Sequence, residues 1–118
     1  MHKEYRLTKE GERAFYDFLH TKDTDKQARL ELLPPHAIEE VSVVLRLGEQ
    51  KYGKFDYLSN PKLSQTNMIG KALRHITTFL KGYHIDPEIS RHHLAHAAAD
   101  LLIALEMQLL GKGKDDRK

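Results

Sequence analysis

His93, His96 and Asp100 stand at positions i, i+3 and i+7, and at roughly 100° per residue all three fall on one stripe of a helix. The stripe borders an apolar face rather than opposing it, which aims the side chains into a crevice between helices. Helical bundles build metal and substrate sites at such places. Imidazole nitrogen and carboxylate oxygen are metal ligands, and imidazole also exchanges protons near neutral pH. The competing interpretation is a helix edge solvated by two imidazoles and an Asp. Arg74 and His75 lie in the middle of the preceding helix, beside its apolar face. If the two helices run antiparallel, as a short connection favours, His75 faces the ridge and the Arg74 guanidinium can fork onto phosphate. Taken alone, Arg74 reads better as a surface residue paired with an acidic neighbour.

Other polar residues are less telling. Glu39 and Glu40 are adjacent, so at most one of them points at a given partner. Lys51 and Tyr52, followed by Gly53, close a helix, where a cation is expected simply because it suits the C-terminal dipole. His84 and His92 have no ligand-spaced partner and read as surface residues, and Asp86 reads as a helix cap rather than a catalyst. No P-loop, GxGxxG, HExxH, GxSxG or EF-hand pattern occurs, so those chemistries have no support.

The elements that must position these residues are helices. Ala14, Phe15, Phe18 and Leu19 recur at helical spacing and predict a short helix over 8–19, with Thr8 as cap; residues 20–27 (HTKDTDKQ) read as an exposed linker. Pro34-Pro35 opens a second helix to about residue 51, carrying Ile38, Val41, Val44 and Leu45 on one stripe. Residues 52–61 are turn-rich and aromatic and predict an ordered loop. Ile69, Ala72, Leu73, Ile76, Phe79 and Leu80 mark a third helix over 66–80 with Gly82 after its end. Asp86-Pro87 predicts the start of a fourth helix that runs to 110 and stops at Gly111, packing through Leu94, Ala97, Ala98, Leu101, Leu102, Ala104, Leu105 and Leu109. No stretch alternates like a half-buried strand. The expectation is an all-α small helical bundle with three parts: a short helix and linker over 1–28, a helical core over 29–111, and a charged, frayed tail over 112–118.

Composition sets outer bounds. A chain of 118 residues has room for one core. Nineteen Lys and Arg against 17 Asp and Glu leave a formal charge of +2, too weak for a nucleic-acid binder, and no apolar run is long enough for a membrane span. Without a signal-like leader or any cysteine, the expected home is cytoplasmic. Eight histidines in so short a chain are the compositional oddity.

Five segments, in order, carry a resemblance: RLELLPPHAIEEV (29–41), GEQKYG (48–53), LRH (73–75), KGYHIDPE (81–88) and HLAHAAADLL (93–102). Together they resemble the phage and bacterial dATP/dGTP diphosphohydrolase N-terminal domain family, which is MazG-like. The resemblance implies an all-α, oligomeric nucleoside triphosphate pyrophosphohydrolase that uses a divalent metal to release monophosphate and pyrophosphate. Glu39, Lys51, Tyr52, Arg74, His75, Asp86, His93 and His96 match the family pattern, whereas Asp100 stands where Asn is expected. The match to MazG enzymes proper is poorer, because their ExxE and ExxD carboxylate pairs are missing from the corresponding helices. Exchanging carboxylates for imidazoles weakens magnesium binding and favours manganese, zinc or iron; alternatively the histidines contact phosphate directly.

The resulting expectation places Glu39, His93, His96 and Asp100 on a metal ion (Mg or Mn, with Zn or Fe as alternatives) or on the attacking water, with His75 in proton transfer. Lys51, Arg74 and Lys81 neutralise a nucleoside triphosphate, and Tyr52 stacks on its base. Two rivals stand beside it. One is an HD-type phosphohydrolase, disfavoured by the lack of a contiguous His-Asp pair; the other is a phage-like nucleotide-binding or helical adaptor protein without turnover.

Overall fold

The computed structural model describes residues 3–4, 9–20, 28–56, 60 and 63–118. The order of elements is β1 (Lys3–Glu4), α1 (Lys9–His20), a 3-10 turn (Leu30–Leu32), α2 (Pro35–Tyr52), α3 (Gln65–Leu80), β2 (Ile85–Asp86), β3 (Arg91–His92), α4 (His93–Leu110) and β4 (Lys114–Asp115). The expected all-α class holds. The linker 21–27, the Thr8 cap and part of the 52–61 loop lie outside the described residues.

Each helix boundary has a local cause. Pro35 at the first position of α2 sacrifices no intrahelical bond, and α2 ends at Gly53, whose φ of 95° and ψ of 159° suit only glycine. Ser64 caps α3 by accepting from the Asn67 N–H at 3.2 Å. At its other end the Gly82 N–H donates to Phe79 and the Tyr83 N–H to Thr78, a Schellman closure that needs the positive φ of Gly82. Gly111, in the left-handed conformation, ends α4 where the sequence predicts.

Three expectations change. Asp86 does not cap a long helix: residues 85–86 and 91–92 form a small antiparallel hairpin with Ile85 opposite His92, and α4 begins only at His93. The cap is His92, whose Nδ1 accepts from the Leu94 N–H at 3.1 Å. An Asp-Pro pair serves a turn as well as a helix start, and the left-handed Ser90 (φ 58°) closes this one. The tail is not frayed, because β4 pairs antiparallel with β1 and Asp116 accepts from the Thr66 N–H at 3.0 Å, covering the first turn of α3. Asp115 is buried beside Arg117, whose guanidinium holds its carboxyl well below the usual carboxylate range.

The third change concerns α4. Its buried residues are His93, Ala95, Ala97, Ala99, Ala104 and Met107, whereas Leu94, Leu101, Leu102 and Leu105 remain exposed. Val41 and Val44 of α2 meet Ala95 and Ala99, and Met68 of α3 meets Ala104 and Met107. Both α2 and α3 therefore lie on the alanine side of α4, and they make little contact with each other. The radius of gyration, 15.9 Å, exceeds the roughly 13 to 14 Å of a compact domain of this length, as an open arrangement requires.

Among the described residues Met107 is the one large side chain with no exposed surface, and a Cβ on Gly113 would run into its Cε. Met107→Ala is expected to lower unfolding stability by about 2 to 5 kcal/mol in urea titration. A loss under 1 kcal/mol would show that this end of α4 is not part of the core.

Candidate functional site

Between α2 and α3, floored by α4, runs a cleft of about 1170 Å³. Three elements deliver polar side chains to it: α3 carries His75, the hairpin carries Asp86, and α4 carries His93, His96 and Asp100. Their closeness follows from the small residues beside them. Ala95, Ala97 and Ala99 add little bulk to α4, and the rings of His75 and His96 stack with centroids 4.2 Å apart and planes 10° apart.

His75, Asp86 and His96 each offer one ligand atom, and the three atoms lie within 4.8 Å of one another. Asp86 is oriented at both ends. Its Oδ1 accepts from the Glu88 N–H at 2.9 Å, which leaves Oδ2 at 3.4 Å from His96 Nε2. That nitrogen is buried and has no hydrogen-bond partner. Two atoms bound at about 2.0 to 2.1 Å on a tetrahedral ion are themselves about 3.4 Å apart, so an orphaned imidazole nitrogen facing a carboxylate oxygen at this separation fits a shared cation. Two nitrogens and one oxygen are a donor set for zinc, manganese or iron rather than an all-oxygen magnesium site.

The surrounding bonds hold this geometry. His75 Nδ1 and His93 Nδ1 are 2.9 Å apart, so one ring donates and the other accepts, and the Nε2 of His75 is left for the site. Arg91 of the hairpin pairs with Glu40 of α2 at 3.2 Å, bracing the strand opposite Asp86. Burial lowers the pKa of His75, with His96 as the next contributor, and burial lowers that of His96 against the opposing pull of Asp86. Both rings are thus kept neutral, the form that binds metal. Burial pushes the Asp100 carboxyl up to about 6, with Lys71 and Arg74 opposing it, and its Oδ2 is buried without a partner.

Of the residues singled out from the sequence, His75, His93, His96, Asp100, Arg74, Lys51 and Tyr52 all line this cleft. Glu39 does not: it is exposed on α2 outside the cleft wall, and its neighbour Glu40 is the one with a structural partner. Lys81 is exposed at the C-cap of α3 and does not line the cleft either. Asp86, set aside as a cap, joins the cluster instead, and Lys71 stands close enough to Asp100 and His96 to act on their charge. Helical spacing had no means of finding Asp86, because a hairpin, not a helix face, carries it. His84 is exposed as expected and His92 half-buried, and their rings gather around Phe79 at 5.7 and 5.5 Å.

Comparison with known proteins identifies a family for the chain. The family model described as dATP/dGTP diphosphohydrolase, N-terminal, matches residues 19–117. A protein of Salmonella phage PMBT28 named dATP/dGTP diphosphohydrolase is 34% identical over 92 residues, which are 78% of this chain and 31% of that protein. The chain therefore spans about a third of the length of the relative it matches. No solved structure matches it significantly. With nearly the whole helical core and the C-terminal strand inside the matched segment, the chain belongs to the dATP/dGTP diphosphohydrolase N-terminal family.

Proposed function

We propose that this domain hydrolyses a (deoxy)nucleoside triphosphate to monophosphate and pyrophosphate with the help of a divalent metal. The carrying observation is the convergence of His75, Asp86 and His96 on one point of a cleft that Lys71 and Arg74 flank. The activity for which the phage relative is named belongs to a longer protein and supports the substrate class.

In this reading His75, Asp86 and His96 hold the ion, and His93 fixes the tautomer of His75. A metal bound there supplies Lewis-acid polarisation of a phosphate oxygen and a lowered pKa for bound water. Lys71, Arg74 and Lys51 neutralise the triphosphate. Asp100, one turn along α4 from His96, accepts the proton of the attacking water; the water oxygen bonds to the α-phosphorus, and the bond from that phosphorus to the bridging oxygen breaks, releasing pyrophosphate. Glu39 and Lys81 take no part.

The same proposal includes a second copy of the chain. Leu94, Leu101 and Leu105 fall within about 40° of one another around α4 and are all exposed. The charged residues of α4, Asp100 and Glu106, both line the cleft on the other side. A contiguous exposed apolar stripe marks an interaction surface, and a two-fold partner presenting the same leucines covers it symmetrically.

His96→Ala is expected to lower turnover on the order of 100-fold or more and to reduce the metal retained after purification; His93→Ala costs about 10- to 100-fold. Product analysis of each dNTP with Mn²⁺, Zn²⁺ or Mg²⁺ checks the reaction. Inorganic triphosphate with nucleoside among the products points to an HD-type enzyme, and full activity of His96→Ala removes the mechanism.

The pH dependence follows from Asp100. Its folded pKa is raised from 3.8 to about 6, so the protonated form is favoured in the fold; this contribution is present below pH 4 and is lost as pH rises through about 6. Catalysis needs the opposite form and climbs over the same range. Asp100→Asn is expected to raise Tm at pH 8 by a few degrees, leave Tm at pH 4 nearly unchanged, and abolish the acid limb of the rate profile. An acid limb that survives in Asp100→Asn assigns the base elsewhere.

Leu101→Lys together with Leu105→Lys is expected to convert a dimer or higher oligomer to monomer in light scattering. A wild-type chain that is already monomeric at micromolar concentration would defeat the assembly proposal.

A further inference from the structure

The sequence around the end of α2 repeats a pair: Lys51-Tyr52, then Gly53, then Lys54-Phe55. In each pair the lysine lies over the ring that follows it, with Lys51 Nζ 5.1 Å from the Tyr52 centroid and Lys54 Nζ 5.3 Å from the Phe55 centroid. Both distances are within cation–π range. Gly53, with its φ of 95°, breaks the helix between the pairs and redirects the second one. All four side chains line the cleft that holds the histidine cluster. The Lys51 ammonium is also 3.5 Å from Glu88 Oε1, which places Tyr52 near the hairpin turn that carries Asp86.

Two features of Phe55 are unfavourable for folding. It is 56% exposed, and its backbone is left-handed, with φ of 57°, a conformation that disfavours a bulky side chain. Tyr52 is 58% exposed. An exposed aromatic held at positive φ beside a cleft is the kind of local cost that persists at ligand sites, where a bound group covers the ring.

We infer that Tyr52 and Phe55 form a nucleobase platform, with Lys51 and Lys54 polarising the rings and facing the phosphates, so that the cleft takes a nucleotide by its base as well as by its phosphates. The inference rests on the nucleotide reading above and adds Phe55 and Lys54 to it. Stacking is tolerant of base identity but grows with ring area, so a purine gains more than a pyrimidine. Inorganic tripolyphosphate, which has the charge and no base, gains nothing.

Calorimetric titration with Mn²⁺ and a non-hydrolysable α,β-methylene analogue of dGTP, run beside tripolyphosphate, separates the two parts of the ligand. Phe55→Ala and Tyr52→Ala are expected to weaken the analogue roughly 5- to 100-fold while tripolyphosphate stays within about twofold. Phe55→Trp keeps the wild-type affinity. Phe55→Gly loses affinity like the alanine variant, yet its Tm is equal to or above wild type, which a merely structural Phe55 would not show. Unchanged analogue affinity in Phe55→Ala, an equal loss of tripolyphosphate, or no binding of the analogue to the wild-type chain overturns the platform. The hydrolysis reading fails separately, if wild type binds the analogue through these rings but forms no monophosphate and pyrophosphate from dGTP.

Discussion

How closely two neighbours approach α4 determines nearly everything else in this fold. Alanine at 95, 97, 99 and 104 leaves the inner side of that helix shallow, and the histidines between them reach across a short gap. The stack of His75 on His96 at 4.2 Å and the nitrogen pair of His75 and His93 at 2.9 Å exist only because α3 can come this near. Larger residues on the same side would fill the cleft and part the rings. The cost of the arrangement is a small core, with Val41, Val44, Met68 and Met107 as its larger members.

Burying imidazoles and a carboxylate in so thin a protein needs compensation. His75 and His93 satisfy each other, Asp86 is held by the Glu88 N–H, and the Glu40–Arg91 pair braces the hairpin from α2. His96 Nε2 and Asp100 Oδ2 are left without hydrogen bonds. Buried polar atoms in folded proteins are nearly always bonded, so two such atoms in one cleft mark the place where something else binds. In the proposed function a cation occupies the first and the proton of the attacking water goes to the second.

The outer side of α4 poses the complementary problem. Leucines face outward while alanines face inward, the reverse of an isolated amphipathic helix. The site and the leucine stripe are thus two consequences of one pattern: small residues admit the cleft on one side of α4, and large ones are left on the other.

Helix existence, the Pro35 start, the Gly82 and Gly111 stops and the shared stripe of His93, His96 and Asp100 are all written in local chemistry, since proline and glycine act through their own backbone and periodicity acts within one helix. These features were readable in the amino-acid order, and so was the apposition of His75, because a short connection returns α3 antiparallel to α4. Three matters depended on packing. Asp86 reaches the histidines because residues 85–92 turn back as a hairpin, a choice that Asp-Pro leaves open. Glu39 points away from the cleft while Glu40 meets Arg91, a distinction of one helical step that adjacent identical residues cannot reveal. The inward face of α4 is the third, since hydrophobicity names the large side chains Leu94, Leu101, Leu102 and Leu105 as the core, whereas close approach of two helices selects the small ones.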